Sequence, residues 1–226
     1  MPRRSVVKRP VDTGQIDDAR LPASGELFLY PKEARMAQSH GREKALIMDE
    51  AAVRRTLLRL SHQIIEANKS LENLVFIGIQ RRGVPMARRL AAMIKDSEGV
   101  DIPLGVLDIT LYRDDLSELS EHPRLNNTDI PFAVVGKTVV MVDDVLYTGR
   151  TARSAMDALI DLGRPRSIQL ACLVDRGPRE LPIRADYVGK TVPTSKREVL
   201  SVCLPEIDGT DKVAIVDRPE GNRGGH

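Results

Sequence analysis

The residues best suited to chemistry lie between Val139 and Thr151, where two adjacent carboxylates precede a loop of hydroxyl and glycine residues. Asp143 and Asp144 can accept hydrogen bonds from vicinal sugar hydroxyls, or help to hold a Mg²⁺ ion that bridges hydroxyls and a diphosphate. Free backbone N–H groups at the start of a following helix, together with the polar side chains of residues 148–151, suit a phosphate dianion. An acceptor pair and an anion site this close together match the two ends of a ribose 5-phosphate.

A strand and a helix must position this loop. The apolar residues 139–142 are too few and too β-branched for a helix, so they predict a strand buried on both faces of a parallel sheet. Apolar residues at helical spacing follow the loop until Gly163 and Pro165 end the pattern. They are Ala152, Ala155, Met156, Leu159 and Ile160. The alternative is an acidic pair at a strand end and an ordinary helix cap, since Asp and Thr favour such positions.

The same stretch resembles the 5-phosphoribosyl-1-diphosphate (PRPP) signature of type I phosphoribosyltransferases. Its form, Asp-Asp-Val-Leu-Tyr-Thr-Gly-Arg-Thr, is similar to that of the PyrR family, the pyrimidine operon attenuation proteins that are also uracil phosphoribosyltransferases. Tyr147 departs from most of the superfamily, which has a small residue there. The resemblance runs from about Lys44 to about Ile215. It implies a PRPP or nucleotide site formed by Asp143, Asp144, Val145, Leu146, Tyr147, Thr148, Gly149, Arg150 and Thr151.

Length and composition predict one α/β domain with short extensions. A chain of 226 residues with 42% hydrophobic content can bury one sizeable core. We expect a flexible N-terminal extension over residues 1–43, a phosphoribosyltransferase domain over 44–216 and a flexible C-terminal tail over 217–226. The resemblance implies the type I phosphoribosyltransferase fold, in which helices flank a central, mainly parallel sheet that carries a small hood.

Charge, cysteine content and the length of apolar runs argue against a globally basic nucleic-acid-binding protein, a disulfide-bonded or zinc-binding protein, and a membrane-spanning protein. The net charge is only +2, so a nucleic-acid face would require local clustering of the 34 Lys and Arg residues. Cys172 and Cys203 have apolar neighbours and form no zinc or disulfide pattern, so we expect both in the core. Apolar runs fall far short of the roughly 18 residues of a membrane span. With no signal-peptide core after Met1, we expect a cytoplasmic protein with no membrane or DNA partner.

A second basic loop is a candidate diphosphate site. The apolar range 74–79 predicts another buried strand, which ends in Gln80-Arg81-Arg82-Gly83 before a helix opened by Val84 and Pro85. The guanidinium groups of Arg81 and Arg82 can bind phosphate oxygens through paired N–H donors. Basic turns are common, but beside the PRPP stretch this one resembles the pyrophosphate loop of the family. The two strand ends should meet at the edge where open α/β sheets bind ligands.

A polar segment with little periodicity, residues 116–129, follows a predicted strand over 102–111. It is either a disordered excursion or a lid over an active site. In the family it is the flexible loop that closes over PRPP. The resemblance makes Arg113 a catalytic candidate beside Asp143 and Asp144, because its charge can contact the departing diphosphate.

The last predicted strand of the core, residues 167–174, leads into an uneven segment, residues 175–190. Its proline and glycine content suggests an irregular crossover. By resemblance this is the hood that holds uracil. A uracil edge requires both a donor and an acceptor, which the backbone of Val188 and Gly189 can supply.

The first predicted helix carries a basic outer face. Asp49 can cap it, and its apolar positions face the core at Val53, Leu57, Leu60, Ile64 and Ile65. Such a charged face is usually only solvated. In PyrR proteins, however, this helix lines the RNA-binding face, where a small hydroxyl is common at the position of Leu58. The resemblance assigns RNA contact to Arg55, Arg59, His62, Arg179, Arg184 and Lys190.

The resemblance implies two functions in one chain. The first is synthesis of UMP and diphosphate from uracil and PRPP, with Mg²⁺ bound alongside PRPP. The second is binding of a hairpin in the pyr mRNA leader under the control of UMP or UTP, by a homodimer or higher homo-oligomer. Aromatic residues make up 3% of the chain, which argues against a stacking platform for single strands but not against hairpin recognition. The rival is a purely metabolic uracil or purine salvage phosphoribosyltransferase without RNA binding.

Overall fold

The computed structural model describes residues 42–109, 128–195 and 198–217. Within these residues the chain forms eight strands and four helices. In chain order they are β1 (Glu43–Met48), α1 (Glu50–Ala67), β2 (Leu74–Ile79), α2 (Gly83–Glu98), β3 (Leu104–Leu107), β4 (Thr138–Leu146), α3 (Arg150–Asp161), β5 (Ser167–Asp175), β6 (Tyr187–Thr191), β7 (Glu198–Cys203), α4 (Pro205–Asp208) and β8 (Lys212–Asp217).

Five strands form a central sheet in the order β3-β2-β4-β5-β6, and each neighbouring pair is parallel. The chain runs from β2 to β3 on one side and then returns to β4 on the other side of β2. The strand order therefore reverses between β2 and β4. Ligands of open α/β sheets bind at this kind of reversal, beyond the carboxyl ends of the two strands.

Helices cover both faces of this sheet. One core cluster packs Phe76 and Val140 against apolar residues of α1 and α2, such as Leu57 and Leu90. The other packs Ile77 and Met141 against α3. Because successive residues of a strand point to opposite faces, double burial explains why β2 and β4 are apolar at consecutive positions. The expected fold class, a central parallel sheet with helices on both faces, is confirmed.

A second, antiparallel sheet of order β1-β8-β7 joins the two ends of the described chain. It gives the small accessory layer expected beside the central sheet, but it is built from residues 43–48 and 198–217. The resemblance predicts the hood within residues 175–190, which instead form the connection from β5 to β6 and most of β6. The pairing of β1 with β8 joins residues far apart in sequence, so no local pattern predicts it.

Two strand boundaries differ from the expectation. β4 continues to Leu146, beyond the apolar run, because its backbone keeps pairing with β5 through Asp143, Val145 and Leu146. Backbone pairing does not depend on whether a side chain is apolar. β3 is shorter than the range 102–111 and spans Leu104–Leu107, while residues 110–111 lie outside the described ranges.

The predicted helices are confirmed, with one error on α3. Asp49 caps α1 and accepts a hydrogen bond from the Ala52 N–H at 2.7 Å. On α3, Ile160 was assigned to the apolar face but is 60% exposed. The buried stripe is narrower than predicted and is formed by Ala152, Ala155, Ala158 and Leu159 together with Ser154. No helix in the described part of the chain is long and apolar enough to span a membrane.

The two cysteines are buried and carry free thiols, as expected of core residues. Burial raises the pKa of the Cys172 thiol to about 12, and the negative charges of Asp175 and Asp143 act in the same direction. A thiol with so high a pKa is not ionised at neutral pH. Cys172 is therefore a packing residue of β5, not a nucleophile.

Candidate active site

The basic loop after β2 lies directly against β4 at the point where the acidic pair begins. A Cβ added to Gly83 would be 2.1 Å from the carbonyl oxygen of Val142 and 3.4 Å from the Cα of Asp143. Only glycine permits this approach without displacing backbone. The two strand ends therefore meet at one edge of the sheet, as the sequence predicted.

The acidic pair lies near the carboxyl end of β4 and is partly buried. The Asp143 carboxylate accepts a hydrogen bond from the Asp144 N–H at 2.9 Å, and the Asp144 carboxylate accepts one from the Val145 N–H at 2.9 Å. Burial raises the pKa of the Asp144 carboxyl, and the positive charge of Arg82 opposes that rise. The basic loop and the acidic pair thus share one electrostatic environment.

The phosphate loop turns into α3 at Gly149, whose φ of +93° lies in the left-handed region. That conformation favours glycine. Since glycine has no side chain, it cannot cap the first-turn N–H groups of α3. The Arg150 N–H faces the Thr148 hydroxyl oxygen at 3.4 Å. This is the hydroxylated helix entrance that the sequence predicted for a phosphate.

The side chain of Arg150 points to the crossover segment, residues 176–186, which connects β5 to β6. Its Nε donates to Glu180 at 2.6 Å, and both side chains are 53% exposed. The Thr148 carbonyl accepts from the N–H groups of Glu180 and Leu181, each at 3.0 Å. The crossover therefore lies against the phosphate loop. In this arrangement Arg150 contributes its backbone N–H to the loop, while its guanidinium is paired with a carboxylate.

Two arginines of the crossover hold Tyr147. The guanidinium carbon of Arg176 lies 4.0 Å from the centroid of the Tyr147 ring. Arg176 is buried and donates to the Thr194 hydroxyl and to the Ser195 carbonyl. Arg179 donates to the Tyr147 carbonyl at 2.9 Å and pairs with Asp175 at 2.6 Å. Sequence reasoning missed Arg176; its signal was a cation placed directly after a buried strand.

The basic loop is held from the far end of the chain. Arg82 Nη2 lies 3.1 Å from the Asp208 carboxylate, and the same carboxylate accepts from the Leu204 N–H at 2.9 Å. Arg81 is exposed. The peptide bond between Gln80 and Arg81 is cis. Asp208 was not predicted, because it follows Arg82 by more than a hundred residues.

Val188 and Gly189 lie on β6, the edge strand of the central sheet. This corrects the expectation of an irregular crossover through residue 190. A five-residue strand with a central glycine and exposed Lys190 and Thr191 shows too little alternation to predict. A Cβ at Gly189 would lie 2.2 Å from the Leu173 carbonyl oxygen and 2.7 Å from Thr56 Cγ2. The missing side chain lets α1 pack directly on β6.

The six predicted RNA-contact residues fall into two groups. Arg55, Arg59 and His62 are exposed on α1, and Arg59 donates to the carbonyls of Val188 and Gly189 beside the exposed Lys190. Arg184 is also exposed, in the segment before β6. Arg179 is set apart, because its side chain is only 18% exposed and its guanidinium donates to carbonyls of residues 147 and 183 beside the phosphate loop. The predicted catalytic Arg113 lies outside the described residues.

The donor set fits a magnesium ion bound mainly through its substrate. Among the described residues no group of three or more His, Cys, Asp and Glu side chains is placed to hold a metal ion. Mg²⁺ usually keeps several waters and takes one or two carboxylates plus ligand phosphates. The two adjacent carboxylates of β4 meet that requirement.

Comparisons with known proteins agree with this geometry. Residues 47–207 match the family model of the phosphoribosyl transferase domain. The bifunctional protein PyrR of Pelotomaculum thermopropionicum is 62% identical over 179 residues, which cover 79% of this chain and 99% of that protein. The chain belongs to the PyrR family. The proteins of the same name from Acetivibrio thermocellus and Thermus thermophilus are 61% and 59% identical and are covered to 98% each, against 80% and 78% of this chain.

Solved structures support the fold of this PyrR-family chain. A hypoxanthine phosphoribosyltransferase from Staphylococcus aureus is 20% identical, with a TM-score of 0.60 over 79% of this chain and 94% of that one. The Trypanosoma cruzi enzyme in a ternary substrates complex gives a TM-score of 0.63 at 20% identity, over 79% of this chain and 97% of that one. At this identity the likeness establishes the type I phosphoribosyltransferase fold and nothing about the base.

Proposed function

We propose that this PyrR-family chain is a uridine-nucleotide-dependent, RNA-binding regulator of pyr operon expression by attenuation. It also makes UMP and diphosphate from uracil and PRPP as a uracil phosphoribosyltransferase. The observation that carries the enzymatic half is the junction of β2 and β4. There, a basic loop, an acidic pair and a hydroxylated helix start share one edge of the sheet.

The charge of each group of PRPP determines which residues we assign to bind it. The 5-phosphate binds the backbone N–H groups and hydroxyls of residues 148–151, where the start of α3 favours an anion. The ribose hydroxyls donate to Asp143 and Asp144, which the backbone already holds in place. The diphosphate binds Arg81 and Arg82 through paired N–H donors.

Magnesium fits this assignment. Asp143 and Asp144 would hold the ion together with oxygens of PRPP. When bound, it neutralises negative charge on the diphosphate as that group departs. Asp208 keeps Arg82 oriented toward the same region.

The reaction is a displacement at C1 of the ribose. Uracil N1 forms a bond to C1 with inversion while the bond from C1 to the diphosphate oxygen breaks, and the bonding electron pair leaves with diphosphate. N1 gives up its proton to the departing diphosphate or to solvent, which balances the step. The backbone of Val188 and Gly189 holds the uracil edge, and the positive charge of Arg113 stabilises the departing diphosphate.

The regulatory half uses the outer face of α1. Arg55, Arg59 and His62 lie on one exposed helix, and Arg59 reaches β6 beside Lys190. Clustered cations of this kind bind RNA phosphates. UMP in the pocket biases the protein toward the hairpin only if it binds the RNA-competent state more tightly. We propose a cytoplasmic homodimer or higher homo-oligomer as the working form.

Activity with each base tests the enzymatic half. Purified protein with PRPP and Mg²⁺ should form UMP from uracil and no nucleotide from hypoxanthine or guanine. Asp144→Asn should lower UMP formation by about 10²-fold or more, because it removes a charge that positions the ribose. Unchanged UMP formation in Asp144→Asn would show that the site is misassigned.

RNA affinity tests the regulatory half. The leader RNA upstream of the pyrimidine-biosynthesis genes of the same genome should bind more tightly with UMP than without it. Binding should weaken steeply with added salt, since phosphate contacts release counterions. UMP synthesis without any RNA binding would favour the salvage enzyme instead.

A further inference from the structure

One arginine joins the outer face of α1 to the strand proposed to hold the base. Both terminal nitrogens of Arg59 donate to the Val188 carbonyl at 3.4 Å, and Nη2 also donates to the Gly189 carbonyl. Nη1 makes a further hydrogen bond to Gln63 at 3.2 Å. The terminal N–H groups of Arg59 are thus hydrogen-bonded to β6 and to its own helix, although the side chain is exposed.

The residues around this contact are closely packed. Gly189 has no Cβ, and the space such an atom would fill is occupied by the Leu173 carbonyl oxygen and the Thr56 methyl group. Helix α1 and strand β6 therefore lie in direct contact. A ligand that binds to the β6 carbonyls can therefore alter the hydrogen bonds of Arg59 directly, without any domain movement.

We propose that Arg59 couples the nucleotide pocket to the RNA face by competition for the β6 carbonyls. A pyrimidine whose N–H donates to one of these carbonyls takes over part of the acceptor capacity that holds Arg59. The guanidinium is then released toward an RNA phosphate. This inference rests on the proposed function, because it takes uridine nucleotide at β6 and RNA at α1 as given.

The competition fixes the sign of the coupling. In the empty protein an RNA phosphate must displace carbonyl partners from Arg59, which costs part of the binding free energy. When nucleotide is bound, some of these hydrogen bonds from Arg59 to the carbonyls are already broken, so RNA binding costs less free energy. UMP therefore raises RNA affinity, and by linkage RNA raises UMP affinity by the same factor, typically about 5–150-fold for such couplings.

Arg55 offers a matched control on the same helix. It is exposed one turn earlier, and within the described ranges no hydrogen bond joins it to β6. Loss of Arg55 should remove a phosphate contact equally with and without nucleotide. Loss of Arg59 should remove a phosphate contact and the coupling together.

The experiment compares full-length wild type, Arg59→Gln and Arg55→Gln. The dissociation constant of the leader RNA is measured for each protein without UMP and at saturating UMP, at one salt concentration. We expect wild type and Arg55→Gln to show the same UMP-induced tightening, and Arg59→Gln to show a ratio near one. An Arg59→Gln ratio equal to that of wild type would overturn the proposal.

A second measurement separates coupling from a structural role. Without RNA, UMP should bind Arg59→Gln more tightly than wild type, because a competitor for the carbonyls has been removed. Weaker UMP binding in Arg59→Gln would contradict the proposed competition. If wild type itself binds no RNA, or binds it equally with and without UMP, the proposed regulatory function fails and this coupling fails with it.

Discussion

The buried guanidinium of Arg176 stacks on the Tyr147 ring, with 4.0 Å between its carbon and the ring centroid. Arg179 holds the same residue through its carbonyl, at 2.9 Å. Tyr147 stands where the PRPP signature that this chain resembles usually has a small residue. The large ring is accommodated because the crossover supplies a cation to cover it.

Removing the ring should loosen the phosphate loop. A desolvated cation–π contact is worth about 2 kcal/mol, so Tyr147→Ala should raise the KM for PRPP by roughly 10–30-fold. Tyr147→Phe keeps the ring and should stay within about twofold of wild type. Steady-state kinetics with PRPP and uracil measure both. Equal defects in the two variants would show that the hydroxyl matters and that the stacking does not.

Asp208 should act on diphosphate through Arg82. The carboxylate lies 3.1 Å from Arg82, whose positive charge also acts on the Asp144 carboxyl. Asp208→Asn weakens a charge-assisted hydrogen bond worth about 1.5–3 kcal/mol, so the KM for PRPP should rise roughly 10-fold. The rate at saturating PRPP should change less, because the reacting atoms are untouched.

A neighbouring ion pair provides the control for Asp208. Asp211 pairs with Arg89 of α2 at 2.7 Å and does not contact Arg82 in the described structure. Asp211→Asn alters an ion pair of the same chain segment without touching Arg82, so it should leave the KM for PRPP unchanged. If both variants raise that KM equally, Asp208 acts only by holding the segment in place.

Sequence alone predicted the parts of the site that are encoded locally. The apolar runs of β2 and β4 follow from burial on both faces of the sheet, and each ends in the residues that form its loop. The meeting of these loops followed from the geometry of parallel sheets, and Gly83 makes the contact close.

Contacts between distant residues were beyond the sequence pattern. Nothing local to Arg82 indicates Asp208, and nothing local to Tyr147 indicates Arg176. Arg179 was grouped with the RNA-contact residues as a surface cation, yet the structure has it bonded to Asp175 and Tyr147. Its RNA role stays a prediction, and those contacts mean that Arg179→Gln should impair PRPP binding as well.

Gly83 should tolerate no side chain. A Cβ there would lie 2.1 Å from the Val142 carbonyl oxygen, so Gly83→Ala must push α2 away from β4. Overpacking of this kind costs about 1–3 kcal/mol and should also raise the KM for PRPP. Gly99 ends the same helix with φ +70° and open space around it. Gly99→Ala should cost about 1 kcal/mol of stability and leave that KM unchanged, as chemical denaturation and kinetics can show.

The ionised carboxylate of Asp144 should destabilise the folded protein, although the proposed site requires it. Burial raises the pKa of its carboxyl above the ordinary value of 3.8, so the charged form is less favourable in the folded chain than in the unfolded one. At neutral pH the ionised group therefore destabilises the fold. Asp144→Asn removes that charge and should raise the melting temperature, by about 2–4 °C for each kcal/mol relieved.

The raised pKa of Asp144 also predicts how the increase in melting temperature of Asp144→Asn depends on pH. As the pH falls through the raised pKa, the wild-type carboxyl becomes protonated first in the folded state, and the cost disappears. The difference in melting temperature between Asp144→Asn and wild type should therefore be largest at neutral pH and shrink toward zero as the pH approaches 3.8. Scanning calorimetry of both proteins across that range measures it. A lower melting temperature for Asp144→Asn at neutral pH would mean that Arg82 and the backbone donors outweigh burial.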